Sequence, residues 1–196
     1  EVKLGRLFPA SSHLPETAQR NWVRDSTYVV HKGSSGAFLE KLSHYVDSLE
    51  ETVFIADGAP WIWNWVDTFY PGHVQILDFY HAVEHLASFG KCHFKEQHRY
   101  RNFLTATKEK LLDDGIAGVI MELAAMKPST KSGKEELRKL LNYFREHQKR
   151  MYYKTFKEKG YFIGSGAIEA AHRHALQQRL KLSGQRWTEQ GFQAVA

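Results

Sequence analysis

Two short apolar runs that each end at an aspartate constrain the fold of this chain most. Residues 52–56 (TVFIA) stop at Asp57, and residues 74–77 (VQIL) stop at Asp78. The tryptophan-rich segment 59–70 between them has helical spacing, with a proline where the first turn of a helix tolerates one. A strand, a helix and a second strand in this order predict a largely parallel sheet covered by helices.

The residues before this pair also alternate between strand and helix patterns. Residues 2–8 alternate apolar and polar side chains, as a half-buried strand does, and residues 27–31 form a second short run of β-branched and aromatic residues. Ser35 is suited to cap a helix that continues at helical spacing to Leu49. The sequence therefore predicts an α/β core in residues 1–78.

After Asp78 the pattern is helical. The predicted helices span residues 80–90, 97–114, 116–126, 134–159 and 167–182, with a loop at 128–133. We therefore predict a helical insertion at 79–160 and a final helical segment at 161–196.

Charge is distributed unevenly along the 196 residues. Residues 1–90 carry 6 Lys and Arg against 11 Asp and Glu (net −5), residues 91–159 carry 17 against 9 (net +8), and residues 160–196 carry 4 against 2 (net +2). An acidic first half and a basic second half suggest a carboxylate site beside a surface that binds a polyanion. The single cysteine, Cys92, and the lack of a long apolar run favour a cytoplasmic protein without a membrane span.

Three acids are placed where they could act together. Asp57 and Asp78 end two strands, and ligands of open α/β sheets collect beyond the carboxyl ends of strands. Glu169 follows Gly164-Ser165-Gly166, whose glycines would let the backbone approach the site closely. Carboxylate oxygens suit Mg²⁺ or Mn²⁺, and two such ions can activate a nucleophile and stabilise the leaving oxygen of a phosphodiester. Each acid also has a structural interpretation, as a turn residue or a helix-terminal charge.

The segment DFYHAVEHL leaves a second chemistry open. His81, Glu84 and His85 fit the H-x-x-E-H pattern of inverted zinc peptidases, in which Glu169 would serve as a third ligand. Histidines on an amphipathic helix are the plainer interpretation. If Asp78 and His81 instead form a D-x-x-H motif, we expect His81 to turn toward the crevice beyond the strand ends. We then expect His85 to pack on the helical insertion.

Three segments in order resemble one known family: VFIADGAPWIWN, ILDFYHAVEHL and YFIGSGAIEAAHRHALQQRLKLSGQRW. They are similar to the catalytic region of bacterial insertion-sequence transposases of the ISKra type, which are relatives of the Mutator-like DDE superfamily. The resemblance extends over nearly the whole chain. It implies a ribonuclease-H-like mixed sheet with a large helical insertion, and DNA cleavage and strand transfer with two Mg²⁺ or Mn²⁺ ions. DNA, as transposon ends and target, would be the partner, with homo-oligomers formed on it.

The resemblance assigns roles by motif. Asp57 matches the second catalytic aspartate and Glu169 the final glutamate, and both would be metal ligands. Asp78 and His81 match the accessory D-x-x-H motif. The basic residues of the last segment would contact DNA phosphates; these are Arg173, Arg179, Lys181 and Arg186.

The first catalytic aspartate of the family belongs on the first strand, upstream of a segment like EVKLGRLF. The acids Glu1, Glu16 and Asp25 are not on strands that could replace it. We therefore expect this chain to be a fragment that lacks the first strand and is inactive alone. The alternative is a DNA-binding remnant of a transposase without catalysis.

Overall fold

The computed structural model describes residues 2–9, 13–14, 22–23, 25–164, 166, 186–188 and 191. The protein is mixed α/β, with small sheets and a larger share of helix, which confirms the predicted class. It divides into two compact units, residues 1–52 with 165–196 and residues 53–164. No helix in the described part of the chain combines the length and the apolar character needed to cross a bilayer.

The first unit is built on antiparallel strands. Strand β1 (Val2–Leu7) pairs with β4 (Thr27–Lys32) in antiparallel register, from Val2 opposite Lys32 to Leu7 opposite Thr27. Between them, β2 (His13–Leu14) pairs antiparallel with β3 (Trp22–Val23). Both longer strands were predicted from their patterns, but the expected largely parallel arrangement is wrong here because β1 and β4 run in opposite directions.

Helix α1 (Ser35–Val46) packs on β1 in the same unit. Its cap is Ser34 rather than the predicted Ser35, since the Ser34 hydroxyl accepts a hydrogen bond from the Ala37 amide at 3.3 Å. A Cβ added at Gly5 would lie 3.3 Å from both Phe38 and Leu42, so this glycine lets the helix approach the strand closely.

The second unit begins with the predicted strand–helix–strand arrangement. Strand β5 (Val53–Ala56) and strand β6 (Val74–Leu77) pair in parallel, from Val53 opposite Val74 to Ala56 opposite Leu77. Helix α2 (Pro60–Phe69) connects them and begins at a proline, which has no amide hydrogen to leave unpaired in the first turn. The parallel prediction is confirmed for this pair.

Helices make up the rest of the second unit. They are α3 (Phe79–His93), α4 (Gln97–Leu112), α5 (Ile116–Ala125), α6 (Lys131–His147) and α7 (Tyr153–Glu158). Their apolar faces meet in a core in which each buried side chain contributes about 1.5–3 kcal/mol relative to exposure. The largest fully buried apolar side chains of these helices are Leu86, Phe89, Leu111, Ile116, Leu123, Leu140, Phe144 and Tyr153.

The predicted helix at 134–159 is wrong at both ends. Helix α6 starts earlier, at Lys131, because the Thr130 hydroxyl accepts a hydrogen bond from the Gly133 amide at 3.0 Å and caps it. It ends at His147, a 3-10 turn follows at Gln148–Arg150, and α7 is a separate helix.

Helix α7 is separate because a distant carboxylate caps it. Asp114 accepts hydrogen bonds from the Lys154 amide at 2.7 Å and from the Thr155 amide at 3.2 Å. The Thr155 hydroxyl donates a third hydrogen bond to the same carboxylate at 2.6 Å. These bonds satisfy amides that the first turn of a helix leaves unpaired.

Candidate functional site

Asp57 lies at the carboxyl end of β5 with its side chain exposed. Its Oδ1 accepts a hydrogen bond from the Ala59 amide at 2.9 Å, and its carbonyl oxygen accepts one from the Trp63 indole at 2.6 Å. The second carboxylate oxygen, Oδ2, accepts no hydrogen bond from the described residues. The backbone of Asp57 is therefore fixed, while one oxygen remains available to a ligand.

Asp78 lies at the corresponding end of β6 and is completely buried. Its Oδ1 caps α3, accepting hydrogen bonds from the Tyr80 amide at 2.7 Å and the His81 amide at 3.3 Å. Its own amide donates to the Ala56 carbonyl at 2.8 Å. Because Ala56 is opposite Leu77 in the register, Asp57 and Asp78 follow on neighbouring strands about 5 Å apart. The structure thus brings the two predicted aspartates to one edge of one parallel pair.

The glycine segment before Glu169 passes beside Asp78. The Phe79 amide donates to the Ile163 carbonyl at 2.8 Å. A Cβ added at Gly164 would lie 2.6 Å from the Tyr80 ring and 3.7 Å from Asp78 Oδ1, so a larger residue would collide there. This is the close backbone approach that the glycines predict.

Several of the predicted site residues lie outside the described part of the chain: Glu169, Arg173, Arg179 and Lys181. Arg186 is described and is exposed, in the other unit. Of the acids weighed as replacements for the first aspartate, Asp25 is an exposed residue with a φ of 53° that precedes β4, so it is not on a strand. Glu1 and Glu16 fall outside the described residues.

Two of the histidines of α3, His81 and His85, contact different neighbours. His81 contacts Asp78 through its amide, whereas its ring Nδ1 lies 3.3 Å from the Glu84 carboxylate at the surface rather than in the crevice. His85 stacks on Tyr143 of α6, with ring centroids 4.0 Å apart, and so packs on the insertion as predicted. Within the described residues, no three His, Cys, Asp or Glu side chains are grouped to hold a metal ion.

The sequence patterns did not indicate that two tyrosines, Tyr143 and Tyr153, lie near the strand ends that carry Asp57 and Asp78. Tyr143 lies against the residue after Asp57: a Cβ added at Gly58 would lie 2.7 Å from the Tyr143 hydroxyl oxygen. Burial raises the pKa of Tyr143 well above its usual 10.0, and the negative charges of Asp57 and Asp78 raise it further. Burial likewise raises the pKa of Tyr153, with Tyr143 and Asp78 adding to the effect. Both side chains sit on helices with ordinary amphipathic spacing, which predicts burial but no role.

A polar cluster around the buried Arg150 contacts both β6 and the indole that holds Asp57. Arg150 donates to both oxygens of Asp67, at 2.7 and 2.8 Å, and to Gln75 of β6 at 2.7 Å. Its guanidinium lies over the Trp63 ring, 4.4 Å from the centroid, and the same indole donates to the Asp57 carbonyl. Burial alone would raise the pKa of Asp67, but the hydrogen bonds from Arg150 and Gln75 and the charge of Arg150 hold it below its usual range.

His147 is a titratable member of this cluster. Its Nδ1 lies 3.2 Å from Arg150 Nη1, and since arginine only donates, Nδ1 must be unprotonated and the ring neutral. Burial lowers the pKa of His147 below 6.5; Glu146 opposes this, and the charge of Arg150 adds to it.

Acidification should therefore destabilise the protein. The unfolded chain binds a proton at His147 before the folded chain does, so the stabilisation is present above about pH 6.5 and is lost as pH falls toward the lowered folded pKa. We expect the urea midpoint to drop between about pH 7.5 and pH 5. His147→Gln, which keeps an acceptor for Arg150 but does not titrate, should show a smaller drop. An equal drop in both proteins would contradict this role of His147.

A family match covers most of the chain. Residues 13–196 match an uncharacterised protein family, UPF0236. The matched segment contains Asp57, Asp78 and Glu169. No curated protein and no solved structure matches the chain. Because the family match extends over nearly the whole sequence, the chain belongs to the UPF0236 family.

Proposed function

We propose that this chain belongs to a DDE-type transposase catalytic domain with a ribonuclease-H-like fold. The observation that carries the proposal is the placement of Asp57 and Asp78 at the carboxyl ends of the parallel strands β5 and β6. The segment that leads to Glu169 passes beside Asp78 at Gly164, in the order that the resemblance implies. Two carboxylates at one sheet edge, with Glu169 as the third acid that the resemblance implies, suit metal-assisted phosphodiester chemistry.

Asp57 and Asp78 are not equally suited to bind a divalent cation. Asp57 is exposed and keeps one carboxylate oxygen available, so it is the ligand we assign to Mg²⁺ or Mn²⁺, together with Glu169. Asp78 is buried, and its Oδ1 is committed to capping α3. We therefore assign Asp78 the accessory role of holding the start of α3, and with it His81, against the strand end.

The metal pair would supply an activated nucleophile, first water and then a DNA 3′-hydroxyl, and would neutralise charge on the leaving oxygen. The protein positions these groups. Asp57 is held by the Ala59 amide and the Trp63 indole, so its carboxylate needs little rearrangement to bind a cation. The decisive experiment is a strand-cleavage assay with Mg²⁺ or Mn²⁺, with and without the Asp57 carboxylate, in a protein that carries the strand the resemblance places upstream.

DNA binding is supported by basic residues of the helical insertion. Some are neutralised by partners, such as Lys110 by Glu122 and Arg138 by Glu135. Others are exposed and make no ion pair within the described residues: Lys91, Lys95, Arg101, Lys127, Lys131, Lys134, Arg145, Lys149, Lys157 and Lys159. Such side chains can contact phosphates without reading sequence.

We expect salt-sensitive, sequence-tolerant binding to duplex DNA. The logarithm of the affinity should fall linearly with the logarithm of salt concentration, with a slope of about −0.9 per phosphate contact. The double variant Lys131→Gln/Lys134→Gln should bind more weakly and with a shallower slope. The matched control Lys110→Gln/Glu122→Gln removes a paired couple at constant net charge and should bind as the parent does. A folded protein that does not bind duplex DNA at low salt would refute this surface.

A further inference from the structure

A large aromatic side chain is exposed at the strand ends that carry Asp57 and Asp78. Tyr80, in the first turn of α3, is 59% exposed. By contrast, Trp63, Phe79 and Tyr153, which lie near the same strand ends, are buried. Single exposed aromatic residues are common on protein surfaces, so exposure alone assigns no role to Tyr80. Its position and the contacts that fix its ring distinguish it.

The contacts of Tyr80 hold it next to Asp78. Its amide donates a hydrogen bond to Asp78 Oδ1 at 2.7 Å. A Cβ added at Gly164 would lie 2.6 Å from the edge of the Tyr80 ring and 3.7 Å from Asp78 Oδ1, so the ring and the carboxylate border the same short piece of backbone. The ring also meets that of Phe79 edge-to-face, with centroids 5.6 Å apart. The ring is therefore held at its edge, while more than half of the residue is open to solvent.

An aromatic ring held in this way suits the face of a nucleic-acid base. Bases stack on aromatic side chains whatever their sequence, because every base has a π-face. A phosphate is not the group expected on the ring, because the neighbouring carboxylate of Asp78 repels it, whereas the uncharged face of a base is not repelled. A base within a duplex is covered on both faces by its neighbours, so the ligand must be an unpaired base.

We propose that Tyr80 is a positioning residue on which an unpaired DNA base next to the scissile phosphodiester stacks. The inference rests on the function proposed above. The base of a nucleotide is separated from its phosphate by one sugar, and Asp57 and Asp78 follow on strands about 5 Å apart. A base on Tyr80 would therefore place a neighbouring phosphate near the cation assigned to Asp57. Holding a substrate group at a fixed place beside the reacting centre is how a positioning residue contributes to rate.

The test compares DNA with and without unpaired bases, using the 196-residue chain in the absence of divalent cations. One probe is a duplex with a short single-stranded extension that contains the fluorescent base 2-aminopurine, and the other probe is fully paired. The parent should bind the extended duplex more tightly and quench the fluorescence, since stacking on an aromatic ring quenches it. Tyr80→Leu should weaken binding to the extended duplex about tenfold and remove most of the quenching. It should bind the paired duplex as the parent does.

Two variants serve as matched controls. Tyr80→Phe keeps the ring and should bind and quench as the parent does. Phe69→Leu changes an aromatic residue that is 67% exposed at the end of α2. Because α2 leads from the end of β5 to the start of β6, Phe69 lies toward the opposite ends of the strands, and its replacement should change neither affinity nor quenching. The melting temperature of Tyr80→Leu should stay near that of the parent, because the residue is exposed.

The outcomes separate this inference from the proposed function. Equal affinity and quenching for Tyr80→Leu and the parent would overturn the role of Tyr80 and leave both the DNA surface of the insertion and the metal site at Asp57 standing. A loss shared by Tyr80→Phe, or an equal loss of affinity for both probes, would also overturn it, because the ring would then not be reading an unpaired base. If the parent binds neither probe at low salt, the inference and the proposed DNA binding fail together, whereas cleavage by Asp57→Asn tests the metal site independently.

Discussion

Replacing Asp57 with asparagine should reduce Mg²⁺-dependent DNA cleavage at least about a thousandfold in the protein that carries the upstream strand. A bound metal supplies several kcal/mol of charge stabilisation in the transition state, and about 4 kcal/mol corresponds to that factor. Asparagine keeps the shape of the side chain, and its amide oxygen can still accept the hydrogen bond from Ala59. The loss would therefore report the missing negative charge rather than a change in the turn. Nicking of a labelled duplex measures it.

The matched control for this prediction is Glu84→Gln. Glu84 is 73% exposed, and its carboxylate lies 3.3 Å from the ring of His81 rather than serving as one of the proposed metal ligands. Cleavage should remain near the parent value. A zinc peptidase would show the reverse pattern, because Glu84 would be its general base. If the parent binds DNA but no variant or extension cleaves it, the non-catalytic DNA-binding alternative replaces the transposase proposal.

The strand ends of the second unit could be predicted from the sequence because local pattern determines them. The mainly apolar strands 53–56 and 74–77 stop at aspartates whose side chains accept hydrogen bonds from nearby backbone amides: Asp57 from Ala59, and Asp78 from Tyr80. Such short-range hydrogen bonds involve residues that are close in sequence. The pairing direction followed from the intervening helix α2.

What the sequence did not predict depends on contacts between distant residues. The break between α6 and α7 requires Asp114, which caps a helix forty residues later. The position of Tyr143 against Gly58 requires the packing of α6 on the end of β5. The ring of His81 could reach either Asp78 or Glu84 on one helical face, and helical spacing alone does not decide between them. In each case the decisive partner is selected by tertiary packing.

Arg150→Ala should destabilise the second unit far more than the loss of an exposed arginine does. Arg150 is buried, donates to Asp67 and Gln75, and lies over the ring of Trp63. Removing one partner of a buried ion pair typically costs about 3–5 kcal/mol; because the Asp67 side chain is 54% exposed, we expect about 2–4 kcal/mol here. Urea unfolding followed by tryptophan fluorescence measures this loss.

Arg138→Ala is the control, because Arg138 makes a similar two-bonded pair with Glu135 on the exposed side of α6. Both members of this pair are hydrated, so the urea midpoint should change little. The difference between the two urea midpoints measures the effect of burying the arginine, since both arginines pair with a carboxylate and both changes remove one positive charge.

Because Arg150 also packs on Trp63, whose indole holds the Asp57 carbonyl, Arg150→Ala should in addition weaken Mn²⁺ binding at Asp57. Equal urea midpoints for the two variants would show that the Arg150 cluster does not stabilise the strand ends. The stabilising role that we assign to this cluster at Asp57 would then be wrong.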